Sequence, residues 1–110
     1  MTRYLNAGAV LSVNNTDLFV CPENNQAIIH SLYCSTNNEL QPSTVTIEVY
    51  DASAGKIYLL GNKLEVLPRA TLVFEKQINL ESNDILRVRS STENEVNVFA
   101  SIMAIVPASL

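Results

Sequence analysis

Apolar and polar residues alternate in short runs along almost the whole chain, and polar clusters separate the runs. Successive side chains of a strand point to opposite faces, so each run predicts a half-buried strand. Three separators contain paired asparagines: Asn14-Asn15, Asn24-Asn25 and Asn37-Asn38. Asparagine tolerates left-handed backbone and bonds its own neighbouring amides, so such pairs mark turns.

The pattern predicts a first strand over Ala7 to Val13 and a short second over Leu18 to Cys21, stopped by Pro22. The third runs from Gln26 to Ser35. Its adjacent Ile28 and Ile29 point to a bulge or to burial on both sides. Thr44 to Tyr50 alternates most clearly, with Val45, Ile47 and Val49 on one side. Lys56 to Leu60 is followed by a Gly61-Asn62 stop, with Leu64 to Leu67 as an extension or a bridge. Thr71 to Gln77 is next, then a corner over Ile78 to Asp84. Ile85 to Ser90 and Val96 to Ile105 complete the set. The last strand is apolar on both sides: Val96, Val98, Ala100, Ile102 and Ala104 on one, Phe99, Met103 and Ile105 on the other. Such a strand is either central to a layered core or covered by another subunit.

No helical apolar period of useful length occurs. Seven to eight strands in 110 residues predict an all-β, antiparallel β-sandwich, immunoglobulin-like or jelly-roll. The expected organisation is one domain over 1–110, with candidate arms at 1–6 and 107–110 that either latch onto a neighbour or fray.

Composition narrows the function classes. Charged residues are only 16% of the chain, below the usual quarter, which suits a surface partly hidden against neighbours. The net charge of −4 and the scattered basic residues argue against nucleic-acid binding and against a polybasic membrane anchor. No stretch is long enough and apolar enough to span a bilayer, and the first residues lack a secretory signal, so synthesis in a cytosol is expected. Were the strands holding Cys21 and Cys34 paired through a turn at Glu23 to Gln26, the two sulfurs would be roughly 23 Å apart. Two free, buried thiols are therefore expected.

Little chemistry is encoded. His30 is the only histidine and sits inside a strand, where a structural or surface role is expected. Only three glycines occur, and neither a nucleophile elbow nor a phosphate loop is present. The loop acids are read as solvated turn residues, with Glu81 to Asp84 as the best calcium candidate. No catalytic residue, metal or cofactor is predicted. Tyr33, Tyr50 and Tyr58 would make a carbohydrate-stacking platform if they shared a face. The candidate protein–protein contacts are Arg87 and Arg89, which share one strand face and suit an acidic partner, together with Phe99, Met103 and Ile105.

Tyr58-Leu-Leu-Gly-Asn-Lys-Leu-Glu-Val-Leu-Pro68, then Ala70-Thr-Leu-Val-Phe-Glu, then Ile78-Asn-Leu-Glu-Ser-Asn-Asp-Ile-Leu-Arg-Val88 resembles small virion proteins of tailed bacteriophages. Ile29-His-Ser-Leu-Tyr-Cys-Ser-Thr-Asn37 is similar to another strand of that group. Glycine is common there where this chain has Ser82 or Asn83. The resemblance covers roughly Ala27 to Ile105 and implies a structural role with no catalytic residue.

The expected function is therefore that of a non-enzymatic virion protein, assembled in the host bacterial cytoplasm. The first expectation is a capsid decoration or cement protein that contacts the major capsid protein or other virion proteins, and copies of itself. The alternatives are a neck, tail or fibre component, and a carbohydrate-binding module for host attachment.

Overall fold

Nine strands make up the computed structural model, which describes residues 1–107. They are β1 (Thr2–Val10), β2 (Thr16–Val20), β3 (Gln26–Thr36), β4 (Ser43–Asp51), β5 (Lys56–Val66), β6 (Leu72–Phe74), β7 (Ile78–Leu80), β8 (Ile85–Ser90) and β9 (Val96–Ile105). The first sheet has the order β1-β9-β3, with β6 and β7 both paired to the far side of β3. The second has the order β2-β8-β4-β5. Every pairing is antiparallel.

β6 lies opposite Leu32 to Cys34 and β7 opposite Ala27 to Ile29, so the two occupy one edge position in succession. With that edge taken as one broken strand, the chain crosses between sheets at every link except the β4–β5 hairpin. This is the jelly-roll arrangement, so the choice between the two sandwich topologies falls to the jelly-roll.

The inward sides pack as expected from alternation. Val45 and Ile47 of β4, Leu86 and Val88 of β8, and Ala100 and Ile102 of β9 are buried. In β3 the inward residues Ile29 and Leu32 are three apart, because the ladder to β9 shifts register between Ile29 and Ser31. The expected irregularity is thus a bulge at His30.

Several boundaries differ from the sequence reading. β1 begins at Thr2, and residues 2–6, expected as a candidate arm, lie along β9 from Ile105 to Ser101. Of the expected C-terminal arm, residues 108–110 lie outside the described residues. β1 ends at Val10, and Leu11 turns inward with its N–H bonded to Val96 O at 2.8 Å. Gly61-Asn62 is no stop: β5 continues through it to Val66 by an irregularity, with Lys63 at φ 52. A Cβ on Gly61 would lie 2.7 Å from Leu64 Cδ1, which explains glycine at that bend. β2 and β3 sit in different sheets, so they do not form the hairpin used to separate the cysteines. Cys21 and Cys34 are nevertheless both free and buried.

Asp84 fastens one end of the sandwich. It is 5% exposed, and its carboxylate accepts N–H bonds from Ala52 at 2.9 Å and Glu81 at 2.8 Å. Its main-chain carbonyl accepts from Cys21 N at 2.9 Å, while Asn83 N donates to Cys21 O at 2.8 Å. Three loops from both sheets therefore meet at one buried anion. Asn83 takes a left-handed φ of 68°, the conformation glycine would supply there. Asp84→Ala takes the acceptor from the part-buried N–H groups of Ala52 and Glu81 and is expected to cost about 2–3 kcal/mol. Thermal denaturation should show Tm falling by roughly 10–20 °C, and an unchanged Tm would show that the loops hold without it.

Candidate interaction surfaces

Once the inward side chains are spent on the core, the outward ones define two sheet faces and the strand edges. The two faces differ in charge.

The outward face of the second sheet is ionic. Arg87 Nε donates to Asp17 Oδ1 at 2.8 Å, and its guanidinium lies 5.4 Å from the centre of the Tyr50 ring. Arg89 Nη1 donates to Glu48 Oε1 at 3.2 Å and to Asn15 Oδ1 at 3.0 Å. Register explains these pairs: Arg87 is opposite Asp17 on β2, while on β4 Arg87 is opposite Glu48 and Arg89 opposite Thr46. Both arginines expected to meet a partner's acids thus have partners within their own chain. Glu48 is largely buried beneath Arg89, so that arginine compensates an otherwise costly carboxylate.

The outward face of the first sheet carries no Lys, Arg, Asp or Glu at any strand position. One row across it reads Gly8, Phe99, Tyr33, Val73, and another reads Tyr4, Met103, Ile28, Asn79. Phe99 is 47% exposed, Tyr33 42% and Tyr4 80%. Phe99 and Ile105 are exposed and Met103 half-buried, so the structure gathers these three expected contact residues on one face. β9 is therefore a central strand whose outward side is uncharged and mixed: its apolar Phe99, Met103 and Ile105 stand among Asn97 and Ser101, and the polar row Asn6, Ser101, Ser31 runs between the two rows named above. A groove of about 470 Å³ runs beside Val10, Tyr33, Thr71 and Phe99. His30, at the bulge, has Nδ1 3.4 Å from Gln77 Nε2.

A third surface escaped the sequence reading. β5 is the free edge of the second sheet, and its residues Ile57, Tyr58, Leu59 and Leu60 are all exposed. The readable signal was four consecutive large apolar residues in a strand: a core contact covers one side of a strand, never both sides at an open edge.

The remaining candidates separate. Tyr33 lies on the outward face of the first sheet, and Tyr50 on that of the second beneath Arg87. Tyr58 lies opposite the inward-facing Val49 at the β5 edge. The three tyrosines do not share a face, so the expected stacking platform is absent. At the corner named as the best calcium candidate, both Asp84 oxygens already accept main-chain N–H bonds. No group of three or more His, Cys, Asp or Glu side chains suited to a metal ion occurs among the described residues. Among those residues, too, no helix is long and apolar enough to cross a membrane.

No family model matches the chain, and no curated protein matches it. The fold is similar to a Bacillus endospore appendage protein described as belonging to a novel family of disulfide-linked pili. That match has a TM-score of 0.58 and 13% identity over 98% of this chain and 88% of the other. A second solved structure, a pentameric capsid protein from metagenomic phage sequences, overlaps with a TM-score of 0.43 and 19% identity. It is covered over 61% of its length by 96% of this chain. Both neighbours are subunits of assemblies. At these identities the first likeness shows the fold alone.

Burial pushes the Cys34 thiol from an ordinary 9.0 up to about 11. Burial, and then the Asp84 charge, raise Cys21 as well. Below pH 9 the Cys34 thiol is protonated in folded and unfolded chains alike, so its full contribution to stability is present. Between pH 9 and about 11 the unfolded thiol ionises first, and that contribution is lost. Urea unfolding should therefore show the wild type losing more stability than Cys34→Val across this window. Equal losses would contradict burial of the thiol.

Proposed function

We propose that this chain is a non-enzymatic structural subunit of a bacteriophage virion, and within it a capsid decoration or cement protein. The observation that carries this reading is the outward face of the first sheet, which holds no acidic or basic side chain and carries two rows of exposed apolar residues about the polar row Asn6, Ser101 and Ser31. Ten residues of β9 at ~3.3 Å, across four strand positions ~4.8 Å apart, give a face of about 600 Å². Side-chain relief brings it near the roughly 800 Å² per partner of a stable protein interface. Interface cores are depleted in charge and enriched in aromatic residues and Met, which is the character of Phe99, Tyr33, Tyr4 and Met103. The proposed partner is the major capsid protein, held by buried apolar area. The groups best suited to chemistry are committed elsewhere: Asp84 to main-chain donors, and both thiols to the core.

The likeness to a pilus protein supports a second assembly reading, a polymer subunit. The disulfide linkage described for that protein has no counterpart in Cys21 or Cys34, both of which are buried. Jelly-rolls serve capsids and lectins alike, so the fold does not choose between roles. The dispersal of Tyr33, Tyr50 and Tyr58 weighs against the carbohydrate reading.

Quantitative mass spectrometry of purified particles tests the proposal. The expected result is hundreds of copies per particle, with particles lacking the protein releasing their DNA at a lower temperature. A dozen copies or fewer would move the protein to the neck, tail or fibre, and absence from particles would end the virion reading.

A further inference from the structure

We infer that a second copy of this chain pairs along the open half of β5, antiparallel, about a two-fold axis at Tyr58. The inference adds a self-contact to the assembly role proposed above. Its test in purified protein is independent of any particle.

The four edge strand positions are not alike. The far edge of the first sheet is broken into three-residue pieces, β6 and β7. β2 spans five residues and has an irregular ladder, and short or bulged edges are poor templates for pairing. β1 is long but alternates Tyr4 and Leu5 with small and polar residues. β5 divides in two. From Gly61 onward it is bent and carries Lys63 and Glu65. From Lys56 to Leu59 it pairs regularly with Asp51 to Glu48, and Leu60 sits at the register shift that follows. Along this half the groups turned away from β4 meet no other strand of the sheet.

The side chains on this half argue for a strand rather than a flat partner. Ile57 and Leu59 lie opposite Tyr50 and Glu48, on the outward side of the sheet. Tyr58 lies opposite Val49, on the inward side. A protein docking on either face would cover only one set. A strand added alongside, carried by a partner with two layers of its own, covers both at once while satisfying the main-chain groups. A second copy is such a partner. Its own Ile57 to Leu60 presents uncharged apolar residues, and a two-fold contact needs no second surface.

The faces fix the register. A two-fold axis perpendicular to the sheet keeps outward residues outward, so one residue must oppose itself. With Tyr58 opposite Tyr58, Ile57 meets Leu59 on the outward side, and this three-residue centre of the pairing lies within the regular segment. The two second sheets then join into one. Four side chains that are roughly half exposed contribute about 100 Å² each, or some 400 Å² per partner. That is about half a standard interface. The pair is therefore weak in solution and strengthened when both copies are held on one lattice.

Sedimentation equilibrium of the full chain, taken to about 1 mM because the interface is small, tests this. The average mass should rise from 12.1 kDa towards twice that value. Leu59→Lys, at a half-exposed outward position, should abolish the rise without changing Tm. Tyr4→Lys, on the edge of the other sheet, should leave it intact. Tyr58→Cys places two sulfurs across the axis on Cα atoms about 4.5–5.5 Å apart, within disulfide reach. Mild oxidation should yield a covalent dimer that the wild type, with its buried thiols, does not form. A mass that stays at 12.1 kDa overturns the inference and leaves the edge to a strand of another protein. An association that survives Leu59→Lys, or Tyr58→Cys that fails to cross-link, overturns it too.

Discussion

The burial of one side of each sheet against the other governs this molecule. It consumes the inward position of nearly every central strand residue, from Val45 and Ile47 to Ala100 and Ile102. What remains for function is the outward half of the alternation and whatever the edges leave unpaired. β9 shows the consequence most clearly. It lies between β1 and β3, yet its outward residues include Phe99, Met103 and Ile105. The core does not need them, and water does not favour them. The same strand thus supplies the centre of the fold and the centre of the face proposed to bind a partner.

The two sheets treat their outward sides differently, and electrostatics sets the difference. On the second sheet, Asp17, Arg87, Glu48 and Arg89 neutralise one another within the chain. Those charges are complete without a partner. On the first sheet no acidic or basic side chain stands at an outward strand position, so covering it desolvates no charge, only amides and hydroxyls such as Asn6, Ser31 and Ser101 that a partner would have to satisfy. Asp84 gives these surfaces a fixed frame, because its two main-chain bonds tie loops of both sheets together. A rigid frame lowers the entropy lost when such a surface is covered.

Much of this was legible in the sequence, and the illegible parts have physical reasons. β4, β8 and β9 were readable because one side is wet or paired and the other dry. β1 was misplaced because an edge strand exposes both sides at Tyr4 and Leu5, which erases alternation. Gly61-Asn62 resembles a stop, but only the cross-strand ladder reveals it as a bend inside β5. The choice of jelly-roll rested on the chain crossing between the sheets at every link except β4–β5, a long-range fact that no local pattern carries. The apolar surface was half visible: Phe99, Met103 and Ile105 stood out along one strand. Tyr4, Tyr33 and Val73 joined them only through register. Arg87 and Arg89 looked available because their partners lie far away in sequence. Asn24 and Asn83, both left-handed, are places where the local turn chemistry was readable.

The most direct test is the density of an intact phage particle at side-chain resolution. The account predicts that the face bearing Phe99, Tyr33 and Tyr4 lies against the head lattice, while Arg87 and Arg89 face solvent. Density with the apolar face turned to solvent, or particles without the protein, would contradict it.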